Sequence, residues 1–333
     1  MLTGMAVAVM LLLTWAGRAD LAPPAWLIVP VTVLPYLYAG LMVWGFALWS
    51  VAPDRWGPPL QLVVLLVVAG ALWGPSWAAR PDEASAGEPV TVMTWNLRRL
   101  WGGPDDGGDP LACAIRVIET EAPDVVALQE VSAEDVDALT AALGLSCTHA
   151  TYLAGGGRTK GGLAACTRGD NWTLNRGGGQ RFVDPDDWHY AFAEFTREGA
   201  VFNLLAVHLH PYELSMGKWI DLSRRGEAVQ RAQSDQSAAL LARMGRLEDP
   251  TLVAGDFNST RDAALHVGLR KTLTDTWERG GLGFGGTVRL GGWAPLRVDY
   301  SYASSEFAVL DSTVIEAGCS DHRPVVSDLV LRP

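Results

Sequence analysis

The sequence lacks three patterns, and each absence argues against a class of protein. It has no CxxC pair, so its four cysteines do not form the usual zinc or iron–sulfur cage. It has no GxSxG motif, which argues against a serine hydrolase with a nucleophile elbow. It also has no internal repeat of about 20 to 50 residues, which argues against a solenoid or a propeller.

Basic residues are scarce as well. Lysine and arginine together number 26 against 37 acidic residues, and the net charge is −11. Non-specific binding to duplex nucleic acid depends on neutralising phosphates with Lys and Arg, so this balance counts against it. A phosphorylated substrate is still compatible, because a bound cation inverts the local electrostatic field.

The four cysteines are Cys113, Cys147, Cys166 and Cys319. Cys147 and Cys166 flank a glycine-rich segment and could face each other across a hairpin. A disulfide between them is one alternative if the domain lies outside the cytoplasm. We favour four small buried thiols, because free cysteine is among the most buried residue types.

The N-terminal part is strongly apolar. Residues 1–80 carry only three arginines and two aspartates, and they contain apolar runs at 2–17, 25–50 and 60–79. A bilayer is crossed by about 20 apolar residues, so we predict a membrane region over 1–80 with about three transmembrane helices. A signal peptide is disfavoured, because no basic region precedes the first run and two more runs follow it.

This pattern predicts a multi-pass protein of the cell membrane. Three spans place the two termini on opposite sides of the membrane. The arginines fall on alternating sides of the membrane, so they do not determine the orientation. We expect the catalytic domain outside the cytoplasm. Residues 81–89 read as a linker of Pro, Ala, Ser, Gly and acidic residues, and residues 90–333 as the catalytic domain. The lipid bilayer is the partner that we expect, and no protein partner is evident.

After residue 90 the order of elements predicts the fold class. Strand, helix, strand, helix, several strands, a long helix and further strands follow one another. Predicted helices cover 111–121, 133–143 and 223–244, and a late strand covers 296–302. This order indicates an α/β layered sandwich rather than a regular βα barrel.

Polar side chains recur where the predicted strands end. The clearest case is Gly255–Asp256–Phe257–Asn258, where Asp256 and Asn258 would point the same way in an extended segment. An Asx-rich turn is the ordinary alternative for such a stretch. The full set of strand-end and loop residues is Asn96, Glu130, His208, Asp256, Asn258, Asp299, Asp321 and His322.

This set has a distinct chemistry. Carboxylates, amides and imidazoles without a thiolate suggest Mg²⁺, with Mn²⁺ as the alternative, rather than zinc. Such a site suits hydrolysis of a phosphate ester by an activated water. Each residue alone is an ordinary turn, cap or strand residue, so the hypothesis depends on the whole set converging.

Six motifs together resemble a known family. They are Thr94–Trp95–Asn96, Leu128–Gln129–Glu130, His208–Leu209, Gly255–Asp256–Phe257–Asn258, Arg297–Val298–Asp299–Tyr300 and Ser320–Asp321–His322–Arg323–Pro324. In this order they look like those of the endonuclease/exonuclease/phosphatase superfamily, which includes deoxyribonucleases, sphingomyelinases and inositol-polyphosphate phosphatases. The resemblance implies a four-layer α/β sandwich, with two packed mixed β-sheets flanked by helices. It also extends to membrane-anchored actinobacterial members, one of them associated with teicoplanin resistance.

The resemblance also implies roles. Glu130 would bind the metal with Asn96 beside it, and Asp321 would support the metal through water. Asp256 would orient or deprotonate the attacking water, and Asn258 would hold a phosphate oxygen.

Three further residues complete the implied catalytic set. Asp299 would fix His322 as an imidazolium that stabilises the transition state. His208 would contact the phosphate or protonate the leaving oxygen.

The predicted function is that of a membrane-tethered phosphoesterase. It would hydrolyse phosphate ester or pyrophosphate bonds on a lipid-linked or small phosphorylated substrate. One alternative is a membrane-anchored endo- or exonuclease, for which the sequence shows neither a basic groove nor a base-wedging loop. The other is a non-enzymatic membrane protein with a relict fold, which the completeness of the motifs disfavours.

Overall fold

The structure is a computed structural model, and it describes most of the chain after residue 85. The described residues are 34–51, 59–60, 62–67, 80–83, 86–100, 108–154, 158–169, 171–182, 189–211, 222–290 and 293–333.

The first of two six-stranded sheets contains both ends of the region from Glu88 to Leu331. Its strand order is β13-β14-β1-β2-β4-β3. The central strand β1 pairs with β2 in parallel and with β14 in antiparallel orientation, so the sheet is mixed. Its strands are β1 (Glu88–Asn96), β2 (Val125–Gln129), β3 (Leu145–Ala154), β4 (Arg158–Arg168), β13 (Phe307–Val314) and β14 (Val325–Leu331).

The second six-stranded sheet has the order β5-β6-β7-β8-β12-β9. Here β7 and β8 pair in parallel while their other neighbours run antiparallel. Its strands are β5 (Thr173–Arg181), β6 (His189–Arg197), β7 (Ala200–His208), β8 (Thr251–Asp256), β9 (Thr274–Asp275) and β12 (Asp299–Ala303). A separate two-stranded ribbon consists of β10 (Val288–Leu290) and β11 (Trp293–Leu296).

The helices α2 (Pro110–Glu121) and α3 (Ala133–Leu143) pack on the first sheet, and α4 (Leu222–Met244) and α5 (Ala264–Leu269) pack on the second. The helix α1 (Leu34–Val51) precedes the sheets along the chain, and the short α6 (Thr276–Gly280) contacts β12 and β13. The ends of α3 follow from local chemistry. Ser132 and Asp135 form a reciprocal capping box at its start, and Gly144 ends it in the left-handed conformation.

Alternation along the strands divides the apolar residues into three layers. One layer lies between the two sheets and takes Val90 and Val92 from β1. The next residues of the same strand, Met93 and Trp95, face the opposite way and pack under α2 and α3. A third layer packs the second sheet against α4 and α5. Helix, sheet, sheet and helix thus stack in that order, which confirms the predicted sandwich of two mixed sheets flanked by helices.

The predicted helices agree closely with the structure, whereas one predicted strand is interrupted. Helix 133–143 has the predicted bounds, and the helices at 111–121 and 223–244 each begin one residue earlier than predicted. The single strand predicted over 296–302 is wrong. The chain leaves β11 at Leu296 and enters β12 at Asp299, and the buried Arg297 between them makes a bidentate ion pair with Asp275.

The prediction of four free thiols is wrong. Cys147 and Cys166, which are register partners on β3 and β4, form one disulfide. Cys113 on α2 and Cys319 form the other, across a sequence separation of 206 residues. Both bonds lie on the side of the first sheet that faces α2 and α3.

The N-terminal prediction falls largely on residues that are not described. The first predicted span lies wholly outside them, and the second and third lie partly outside. Among the described residues, no helix combines the length and the apolar character that a membrane crossing requires. The helix α1 contacts the helical residues 62–67. A Cβ added to Gly45 of α1 would lie 3.2 Å from a side-chain atom of Leu62. The membrane region stays a prediction.

Candidate functional site

The candidate residues gather at one end of the layer between the sheets. On β8, Leu252 and Ala254 face that layer, so Asp256 continues the same face at the strand end. By the same alternation, Leu204 and Ala206 place His208 on this face of β7. The inter-sheet layer is therefore apolar along its length and becomes polar where these strands end.

Strand register sets the lateral neighbours. Asp256 pairs with His208 across the parallel β7–β8 ladder and with Asp299 across the antiparallel β8–β12 ladder. Gly255 allows this close approach, because a Cβ at that position would lie 1.9 Å from the Val207 carbonyl oxygen. The three polar side chains therefore stand in a row across one edge of the second sheet.

Asp256 is the centre of the site. It is 1% exposed, and its Oδ2 atom accepts a hydrogen bond of 2.9 Å from Asn96 Nδ2 on the opposite sheet. The same Oδ2 atom lies 3.6 Å from His208 Nε2 and 3.9 Å from His322 Nε2. Burial, and then the charge of Asp299, raise the pKa of Asp256 above its ordinary value.

His322 and Asp299 form a hydrogen-bonded pair. His322 Nδ1 lies 2.9 Å from Asp299 Oδ2, and both side chains are buried. Burial opposes protonation of the imidazole, but the charges of Asp299 and then Asp256 outweigh it and raise the pKa of His322 to about 10. The ring is therefore an imidazolium near neutral pH, with Nε2 directed toward Asp256.

Glu130 and Asn96 connect the first sheet to this centre. Asn96 Nδ2 also lies 3.2 Å from Glu130 Oε1, so one amide bridges two carboxylates. Glu130 has a left-handed backbone with φ of 54°, which turns the chain immediately after β2. Its side chain is 26% exposed, and its Oε1 atom lies 4.0 Å from His208 Nε2.

Asn258 and Asp321 lie at the rim. The prediction that Asp256 and Asn258 share an extended segment is wrong, because β8 ends at Asp256 and Asn258 has φ of 48°. The Asn258 amide N–H donates to Asp256 Oδ1 at 2.8 Å, and its Nδ2 donates to the Leu209 carbonyl at 2.9 Å. Asp321 is 34% exposed and lies 3.4 Å from Arg98 Nε.

Two supporting residues received no role from the sequence. The Ser320 hydroxyl donates to the Asn96 carbonyl at 2.7 Å and accepts from the His322 amide at 3.1 Å, which joins the loop to β1. The Thr287 hydroxyl accepts from the Asp299 amide at 3.2 Å. Ser320 belongs to one of the six family motifs, whereas no local signal marks Thr287, which acts across twelve positions of sequence.

The donor atoms around Asp256 bear on metal binding. Among the described residues, one ligand atom each of Asp256, Asp299 and His322 lie within 4.8 Å of one another. The pairing of His322 with Asp299 and its raised pKa argue against His322 as a ligand, because a ligating imidazole is neutral. Asp299 Oδ1 is buried without a hydrogen-bond partner, which marks unsatisfied negative charge. Together with the partly exposed oxygens of Glu130 and Asp321, the donor set fits a hard divalent cation.

Comparison with known proteins decides the family. The model of the Endonuclease/Exonuclease/phosphatase family matches residues 93–322, which contain every candidate site residue. The chain belongs to this family. The comparison with curated protein sequences finds no match.

Solved structures of the family share the fold. A family member from Bacteroides vulgatus is 19% identical with a TM-score of 0.58, and the match covers 73% of this chain and 99% of that one. A mannosyl-6-phosphatase from Bacteroides thetaiotaomicron is 21% identical with a TM-score of 0.56, covering 72% of this chain and 99% of that one. The catalytic domain of human Nocturnin, with a bound sulfate anion, is 18% identical with a TM-score of 0.57, covering 73% and 93%. At these identities the likeness concerns the fold.

Proposed function

We propose that this chain is a metal-dependent phosphoric ester hydrolase. The observation that carries the proposal is the position of Asp256 Oδ2, which lies within 4 Å of Asn96 Nδ2, His208 Nε2 and His322 Nε2. A buried carboxylate with a raised pKa beside an imidazolium suits a reaction in which a proton leaves water while negative charge builds on phosphorus oxygens.

Glu130, with Asn96 and Asp321, would hold the cation, and Mg²⁺ is the ion that these oxygens suit best. When bound, the ion neutralises phosphate charge and polarises the phosphorus–oxygen bonds. The position of Glu130 supports this assignment, because it is partly exposed at the rim and lies beside the buried catalytic groups.

The remaining residues handle the proton and the developing charge. Asp256 accepts a proton from the attacking water, whose oxygen bonds to phosphorus as the ester bond breaks. His322, held by Asp299, stabilises negative charge on the phosphoryl oxygens, and one N–H of the Asn258 amide can hold another oxygen. His208 contacts the phosphate or delivers a proton to the leaving oxygen.

We further propose that the substrate is lipid-linked or a small phosphorylated molecule at a membrane surface. The apolar N-terminal residues and the exposed Val43, Trp44 and Phe46 of α1 support contact with a bilayer. The two disulfides support a catalytic domain outside the cytoplasm, because such bonds persist in oxidising compartments. The mannosyl-6-phosphatase and the sulfate-bound Nocturnin among the structural neighbours support a tetrahedral oxyanion as the group bound.

The test is a substrate panel on the full chain in detergent or vesicles. Bis-p-nitrophenyl phosphate, p-nitrophenyl phosphate, a polyprenyl pyrophosphate and plasmid DNA are assayed with Mg²⁺ and with EDTA. We expect Mg²⁺-dependent release from at least one phosphate ester or from the pyrophosphate, and loss of that activity in Asp256→Asn and His322→Ala. Asp137→Asn removes an exposed carboxylate from α3 and is the matched control.

Two results would change the assignment. Retention of near-full activity in both Asp256→Asn and His322→Ala refutes the catalytic centre. Plasmid cleavage far more efficient than hydrolysis of the small and lipid-linked substrates replaces the proposed substrate with nucleic acid.

A further inference from the structure

A cavity lies on the outer face of the second sheet, between strands β5 to β7 and the end of α4. Its volume is about 470 Å³, which falls within the range of small-molecule sites. The residues that line it include Arg176, Gly178, Phe192, Asn203, Arg243 and Arg246. None of them belongs to the catalytic set.

The cavity is separate from the catalytic centre. Asn203 precedes His208 by five residues on the same strand, which corresponds to about 16 Å at ~3.3 Å per residue. The two side chains also project from opposite faces of the sheet, because they differ by an odd number of residues. A ligand in this cavity therefore does not touch the groups around Asp256.

Asn203 is the most informative residue of the cavity. It is 1% exposed, yet neither its Nδ2 nor its Oδ1 atom has a hydrogen-bond partner. An unpaired buried amide costs about 1–3 kcal/mol per polar group. A ligand that offers both a donor and an acceptor would satisfy it.

Arg243 places a positive charge against the inner end of the cavity. Arg243 lies over the Phe192 ring at 5.1 Å, and its Nε atom is buried without a hydrogen-bond partner. Arg176 lies 5.9 Å from the same ring, but its side chain is 66% exposed and the buried Glu194 neutralises its charge through a hydrogen bond of 2.7 Å. The guanidinium of Arg243 is therefore the group suited to phosphate or carboxylate oxygens.

Acidic groups are present too: the buried Glu194 beside Asn203 is paired with Arg176, and two further carboxylates lie at the mouth. Glu248 and Asp249 line the cavity and are exposed, as is Arg246, whereas Asn203 and the Arg243 Nε atom are buried. The cavity has free space beside Gly178, because a Cβ added to this residue would meet no atom within 4 Å.

We propose that this cavity binds a small organic anion, a phosphate or a carboxylate, whose charge is met by Arg243. The polar part of the molecule pairs with the two amide atoms of Asn203. The site is additional to the hydrolase centre, and its occupancy does not depend on catalysis.

The test measures binding by calorimetry to the full-length protein in EDTA. The probes are inorganic phosphate, glycerol 3-phosphate, AMP and citrate. Asn203→Leu removes the unpaired amide, and Gly178→Val fills the cavity without changing any charge. Arg116→Gln, which removes an exposed arginine from α2, is the control.

We expect at least one probe to bind the wild type and the Arg116→Gln protein. Asn203→Leu and Gly178→Val should each weaken that binding about tenfold or more, with unchanged hydrolysis of the phosphoesterase substrate. The melting temperature of Asn203→Leu should not fall, because an unpaired amide is replaced by an apolar group of similar size. If no probe binds, or if binding survives in both variants, the cavity holds only solvent and the proposal is overturned.

Discussion

His322 Nδ1 lies 2.9 Å from Asp299 Oδ2, so the imidazole that we propose to be catalytic is oriented by a carboxylate from the second sheet. In Asp299→Asn the negative charge is removed, and we expect the pKa of His322 to fall from about 10. The turnover number should fall by about 10²-fold, the typical contribution of one positioned acid or base group.

Nuclear magnetic resonance of the imidazole ring in the metal-free protein measures this pKa directly. His266 is an internal control, because it is buried elsewhere and contacts Tyr302 and Ser259. An unchanged His322 titration in Asp299→Asn would show that the carboxylate does not set its charge.

Glu130 is predicted to hold the cation. Glu130→Gln keeps the size of the side chain and removes its charge, so we expect the affinity for Mg²⁺ to fall by about tenfold or more. Calorimetric titration with Mg²⁺ measures this, and Glu119→Gln on the exposed face of α2 is the matched control. Equal Mg²⁺ affinity in Glu130→Gln and wild type would exclude Glu130 as a ligand.

His266 predicts a dependence of stability on pH. Burial first, and then Arg270, lower its pKa from 6.5 to about 3 in the folded protein. Between these values the unfolded chain binds one more proton than the folded one, so stability falls as pH decreases from 6.5 toward 3. The slope is about 1.4 kcal/mol per pH unit.

His266→Gln should reduce this slope by about one proton, whatever its effect at neutral pH. Urea unfolding at a series of pH values from about 4 to about 7 measures the slope. A slope identical in the variant and the wild type would contradict the assignment.

Gly255 sets the spacing of His208 and Asp256. A Cβ at this position would lie 1.9 Å from the Val207 carbonyl, so Gly255→Ala must separate β7 from β8 and displace His208 and Asp256. We expect a loss of about 3 kcal/mol or more in the free energy of unfolding. Gly245→Ala is the control, since its nearest atom would be 3.7 Å away, and wild-type stability in Gly255→Ala would contradict the close approach.

The Cys113–Cys319 disulfide anchors the loop that carries His322. The double variant Cys113→Ala, Cys319→Ala should lose about 2–5 kcal/mol of stability, the usual cost of removing a native disulfide. Thermal melting measures this, and the double variant Cys147→Ala, Cys166→Ala is the comparison because its disulfide closes only a hairpin. We expect turnover at low temperature to fall further in the first variant, and equal turnover in both would show that the loop needs no covalent anchor.

The sequence predicted much of this arrangement because strand periodicity is local. The parity that buries Leu252 and Ala254 also places Asp256, and the same rule holds for His208 on β7. The position of these residues at strand ends therefore followed from short segments, whereas the two packed sheets followed from the resemblance to the family.

Other features required contacts between distant segments. The pairing of Cys113 with Cys319 spans 206 residues, and the support of Asp299 by Thr287 depends on how β12 is entered. The left-handed backbone of Glu130 and Asn258 also went unpredicted, because neither residue type requires it. The cavity around Asn203 is lined by strands β5 to β7 and by the end of α4, which are distant in the sequence.

The centre draws on both halves of the sandwich. Asn96 and Glu130 come from one sheet, and His208, Asp256 and Asp299 from the other. Neither sheet alone carries the full set of residues, so a fragment that contains one sheet would have no residual activity. A new specificity in such a chain therefore requires changes at the rim of the whole domain and not an exchange of its two sheets.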